Sequence, residues 1–119
     1  MIRGVHTMFY TSDPAGTRAF FRDKLGFPAT DLGDGWLIFD MPEADLGCHP
    51  TEKVGAADPP SGTADISFYC DDVAKTVAEL TAKGVEFTAP VADHGYGLVT
   101  HFKVPGGFTI QLYQPKYAK

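Results

Sequence analysis

The sequence predicts an α+β fold in which one order of elements, strand, helix, three strands, is written twice. Three observations predict it. The stretches GVHTMFYTSD (Gly4 to Asp13) and TADISFYCDD (Thr63 to Asp72) both alternate apolar and polar residues, both carry Phe-Tyr and both end in Asp. Fifty-nine residues separate His6 from Asp65, and the same number separates Asp13 from Asp72. Each Asp opens a helix-like stretch that stops at a glycine, Gly26 in the first copy and Gly84 in the second. A repeat of this size implies that neither half easily buries a sheet face alone.

The elements follow in order. GVHTMFYT alternates and is rich in β-formers, which predicts a strand at about residues 3–11. Asp13-Pro14 is a helix start, Asp as N-cap and Pro in the first turn. Ala19, Phe20 and Leu25 then form an apolar stripe before Gly26. PATDL, WLIFDM and ADLGCH read as three strands joined by short turns, the first of them Gly-Asp-Gly. In the second copy DISFYC is a strand, Asp71-Asp72 caps a helix, and Val73, Val77, Leu80 and Thr81 share its stripe. VEFTAPV, GLVTHFKV and FTIQLYQ are three more strands, with Gly106-Gly107 turning between the last two. The Pro- and Gly-rich PTEKVGAADPPSG joins the halves. The 119 residues thus read as one domain, with module one at about 1–50, a linker at about 51–62 and module two at about 63–115.

Composition narrows the function classes. The formal net charge of -5, without a Lys/Arg cluster, argues against a nucleic-acid partner. No apolar run approaches the length that crosses a bilayer, and MIRGVHTMFY lacks the apolar core of a signal peptide. A cytoplasmic location with no membrane partner is expected. Cys48 and Cys70 fall in apolar runs and read as buried thiols packed as small hydrophobes. No phosphate-binding loop, dinucleotide fingerprint or nucleophile elbow is present.

Several motifs in order carry a resemblance: the early strand with His6, Tyr10 and Asp13, the helix ending FRDKLGF, and the closing FKVPGGFTIQL. They resemble the vicinal oxygen chelate superfamily, which includes glyoxalase I, extradiol dioxygenases, fosfomycin-resistance thioltransferases and bleomycin-binding proteins. The resemblance covers about residues 3–115. It implies two βαβββ modules curled into a half-open mixed-sheet barrel around a cleft, and a homodimer. It also implies a divalent ion held by the first and last strands of each module. Carried over, the ligand positions fall on His6, Asp65 and Gln111, with Gly47 at the fourth and His49 two residues on. Metal-dependent members show His or Gln, Glu, His and Glu at these places. Here Asp65 stands for the second His, Gln111 for the last Glu, and Gly47 for the first.

Strand alternation gives an independent reading. His6, Met8 and Tyr10 point one way; so do Asp65, Ser67 and Tyr69, and Gln111 and Tyr113. Two polar faces related by a repeat point to a shared small-molecule cleft. His6, Asp65 and Gln111 are admissible donors for Fe, Mn, Ni or Zn, or equally a metal-free hydrogen-bonded cluster in which Asp65 orients His6. His6, and His101, which the resemblance turns toward the cleft, are the candidate catalytic bases. Tyr10, Trp36, His49, Ser67, Tyr69 and Tyr113 are the candidate ligand contacts, and His94 and Tyr96 lie in a glycine-flanked loop suited to the cleft mouth. Two functions stand open. One is a glyoxalase- or dioxygenase-like enzyme using a divalent ion; the other is a metal-free protein that binds and sequesters a drug or antibiotic.

Overall fold

The computed structural model describes Met1, residues 6–48, Ser61 and residues 63–117. In chain order the elements are helix α1 (Pro14–Asp23), strands β1 (Ala29–Asp31), β2 (Leu37–Phe39) and β3 (Ser67–Tyr69), helix α2 (Val73–Ala82), and strands β4 (Ala92–Asp93), β5 (Gly97–Val104) and β6 (Phe108–Pro115). β1 and β2 form an antiparallel pair. The larger sheet runs β3-β6-β5-β4, with β3 parallel to β6 and the other pairs antiparallel. Among the described residues the sheets do not close into a barrel, and the mixed α+β layout is that of a half-open sheet.

Both helices start and stop where the sequence says. Asp13 accepts from the Gly16 amide at 2.9 Å, and Asp72 accepts from the Lys75 amide at 3.1 Å. Gly26 and Gly84 take positive φ, 73° and 88°, as helix-ending residues must. Partners from elsewhere hold the helix ends in place. The Gln114 side chain accepts from the Val73 amide at 3.1 Å, so β6 supplies a second cap for α2. At its other end, Lys24 Nζ donates to the Lys83 carbonyl at 2.7 Å. That bond puts a cation from the first module on the negative end of a second-module helix. The Thr17 hydroxyl lies 2.7 Å from the Asp13 carbonyl and 2.8 Å from that of Pro105, tying α1 to the β5–β6 turn.

The core lies between the helices and one face of the larger sheet. Phe102, Ile110, Leu112 and Val104 point into it, with Val73, Val85 and Phe21 against them. All nine phenylalanines of the chain belong to this cluster or pack on it. Phe102 lies nearly parallel to Phe20 and Phe68, at 6.2 and 6.5 Å between ring centres. Phe21 meets Phe9, Phe39 and Phe68 edge-on.

Four sequence expectations are corrected. The strand predicted at about 3–11 carries no ladder over residues 6–11. Phe9 enters the core and Thr11 sits against Pro105 instead, so side chains anchor the segment without a strand neighbour. ADLGCH is not a strand over its described residues 44–48, and Glu43 just before it goes to the Tyr69 hydroxyl. VEFTAPV keeps only a single bridge, Phe87 to Phe102, and a two-residue strand follows at Ala92–Asp93. Pro90 interrupts that run and withholds a ladder donor. Cys48 is exposed rather than buried, and Cys70 is half-buried, short of the full burial expected. The linker at 51–62 lies outside the described residues except Ser61.

The β5–β6 turn offers a paired test. Gly106 and Gly107 both have positive φ, 103° and 80°. A methyl group on Gly106 would run into Thr11 Oγ1, whereas one on Gly107 meets open space. Gly107→Ala should therefore cost about 1–2 kcal/mol, from backbone strain alone. Gly106→Ala should cost about 2–4 kcal/mol, since it also forces Thr11 away. Urea unfolding of the two variants side by side checks the order.

Candidate functional site

The face of the larger sheet opposite the core is built by the pleat. Register places Ser67 beside Gln111 and Gln111 beside His101, a row crossing three strands. The next row is Tyr69, Tyr113 and Val99. Tyr69 and Tyr113 have ring centres 6.2 Å apart, and Tyr96 meets Tyr113 edge-on at 5.7 Å. His94 lies 6.2 Å from Tyr96. The polar ends of these rings are all engaged. Tyr69 donates to Glu43 Oε2 at 3.0 Å, Tyr96 donates to Gln111 Oε1 at 3.2 Å, and the Tyr113 and Tyr117 hydroxyls share a hydrogen bond of 2.8 Å. Four of the chain's five tyrosines thus meet on one side of the sheet, and all the phenylalanines lie on the other.

Burial grades this face. Tyr113 is 8 % exposed and Val99 2 %, while Tyr69, His101 and Gln111 are half-buried and Tyr96 is open at 44 %. Burial pushes the Tyr113 phenol well above its ordinary pKa; its hydrogen bond with Tyr117 and the negative charge of Asp45 push the same way. Tyr113 is therefore a neutral hydrogen-bonding group at every physiological pH.

The structure brings Ser67, Tyr69, Gln111 and Tyr113 together on this face, in line with alternation, and adds His101, which the resemblance turned toward the cleft. Tyr96 joins them from the loop assigned to the cleft mouth. His6 and Asp65 are both exposed and lie outside the strands, Asp65 two residues ahead of β3. Tyr10 is 92 % exposed. Trp36 stands elsewhere, half-exposed, with the Arg18 guanidinium 4.4 Å above its ring. His49 lies outside the described residues. Sequence reasoning missed Glu43, Asp45 and Tyr117. Only Tyr117 left a signal, four residues after Tyr113; Glu43 meets Tyr69 from 26 residues away.

The donors fit a divalent ion poorly. Among the described residues no three His, Cys, Asp or Glu side chains stand together. An ion on His6 and Asp65 would need the neutral amide oxygen of Gln111 as its third donor, and that oxygen already accepts from Tyr96. A crevice of about 140 Å³ lies on the core side, lined by Leu25, Phe27, Phe68, Cys70, Leu80 and Phe102 among others. Burial pushes the Cys70 thiol up, so it stays protonated there.

A family model described as the Glyoxalase/Bleomycin resistance protein/Dioxygenase superfamily matches residues 3–112. The chain belongs to that superfamily. TnmS3, an antibiotic binding protein from a Streptomyces species, has a similar structure: TM-score 0.64 and 24% identity, covering 98% of this chain and 100% of that one. A lactoylglutathione lyase from Agrobacterium tumefaciens is similar at TM-score 0.61 and 19% identity, over 90% of this chain and 89% of the other. A glyoxalase/bleomycin resistance protein/dioxygenase from Nocardioides follows at TM-score 0.56 and 24% identity, over 87% and 76%. No curated protein matches the chain. At these identities the likeness is one of fold.

Alkaline titration tests the environment of Tyr113. In the unfolded chain a phenol ionises near about 10. The folded value is raised, so stability is intact below that pH and falls as pH climbs from there toward the folded value. The ultraviolet phenolate band should show one late-titrating tyrosine that disappears in Tyr113→Phe, and that variant should lose less stability between neutral and strongly alkaline pH.

Proposed function

We propose that this protein is a metal-free small-molecule-binding member of its superfamily, with the tyrosine face of the larger sheet as its binding surface. The observation that carries this reading is the segregation of the aromatic residues. The phenylalanines satisfy the core, and Tyr69, Tyr96 and Tyr113 stand together on the other face beside Gln111 and His101. Rings of this kind give a planar ligand a broad contact area, and the amide, imidazole and Ser67 hydroxyl supply orienting hydrogen bonds. The fold shared with an antibiotic binding protein supports a sequestering role; the fold shared with a lyase keeps catalysis as the competing reading. The poor ionic donor set favours sequestration.

The protein is proposed to act as one unit of two modules, in the cytoplasm and as a homodimer. Among the described residues no helix is long and apolar enough to cross a membrane.

Thermal-shift measurements separate the two functions. Planar aromatic compounds should raise the melting temperature by several degrees at saturation, and equally in the presence of EDTA. Mn, Ni or Zn ions alone should leave it unchanged. A metal that survives dialysis, together with loss of ligand stabilisation in EDTA, would show instead that the metal-dependent reading is right. Replacing Tyr96 by Ala should weaken ligand binding about tenfold with little effect on stability, since this ring is open to solvent.

A further inference from the structure

We infer that the tyrosine face selects organic cations, with Glu43 as the selecting charge. This rests on the reading of that face as a small-molecule site and names the chemistry of its ligand. Three features of the site carry it.

The first is the surface itself. A tyrosine ring presents a negative face; the open Tyr96 and half-buried Tyr69 give a delocalised cation two places to rest, with the buried Tyr113 ring packed against both. The second is where the charges come from. The segment after β2 brings Glu43 onto the Tyr69 hydroxyl at 3.0 Å. The charge of Asp45, from the same segment, is felt at Tyr113. A phenol that donates to a carboxylate gains electron density in its ring, so Glu43 both adds a charge and strengthens the Tyr69 face. The third is that, among the described residues, two lysines flanking the sheet are already engaged. Lys103, on the outward side of β5, is paired with Glu86 at 3.2 Å. Lys116, just past β6, is paired with Asp93. Those two lysines are therefore paired away from Glu43.

Two probes of one shape test this: N-methylacridinium, permanently cationic, and acridine, uncharged at mildly alkaline pH. Fluorescence titration of the intact protein should show the cation binding about tenfold more tightly than the neutral ring. In Glu43→Gln, which keeps the size and a hydrogen-bond acceptor, that preference should fall to about threefold or less, mainly through weaker binding of the cation. Glu79→Gln, on the exposed side of α2, removes the same charge elsewhere and should leave the preference intact. Equal binding of the two probes, or a preference that survives in Glu43→Gln, overturns the inference and leaves the binding surface standing. If neither probe binds, the binding surface and its charge selection both fall.

Discussion

The pleat of the β5–β6 hairpin is the constraint on which the rest of this molecule depends. Eight cross-strand pairs hold the two strands in one register, from Gly97 opposite Pro115 to Val104 opposite Phe108. With side chains alternating between faces, that register decides which residues meet the helices and which do not. A slip of β6 by one position would send Ile110 and Leu112 to the tyrosine side and bring Gln111 and Tyr113 into the core against an unmoved Phe102. The phenolic hydroxyls and the amide would then be buried without partners, at a cost of several kcal/mol. The register is therefore protected from both sides, by apolar burial on one face and by polar satisfaction on the other.

The helices are fastened to this hairpin by specific bonds as well as by packing. Gln114, which extends β6 beyond the tyrosine row, caps α2 at Val73. Thr17 of α1 bonds to Pro105 at the hairpin turn. Lys24 links the end of α1 to the end of α2. The last two contacts fasten α1 to the hairpin and to α2, and Phe20 and Phe21 accordingly share their surroundings with Phe68 and Phe102. The functional face inherits its rigidity from this arrangement, because every tyrosine on a strand has its backbone in the ladder behind which the phenylalanines pack.

The family scaffold is associated with an ion coordinated by residues from both halves. At the positions that the resemblance assigns to that ion this chain has His6, Asp65 and Gln111, and Gly47 offers no side-chain donor. What fills the outward face is a network of phenols, an amide and a carboxylate. Tyr96 takes the Gln111 oxygen, and Glu43 takes the Tyr69 hydroxyl. In the proposed function that network would recognise shape, aromaticity and charge, whereas an ion recognises a chelating pair of oxygens.

Much of this was legible in one dimension. Asp13-Pro14 and Asp72 announced both helix starts, Gly26 and Gly84 both ends, and the alternation in GLVTHFKV and FTIQLYQ placed Tyr113 and Gln111 on the same face as Ser67 and Tyr69. These features are local, set by capping chemistry, backbone conformation and a two-residue period, so neighbours in sequence suffice to specify them. The first strand, the last strand of module one and the run at 85–91 were not decided locally. A strand exists only if another backbone is there to pair with it, and over residues 6–11 side-chain anchoring took that place. Likewise Glu43 on Tyr69, Asp45 beside Tyr113 and Lys24 on Lys83 join residues far apart in the chain. Only the folded arrangement of the helices around one hairpin could decide those meetings, because the energy that selects them comes from burial and charge in three dimensions.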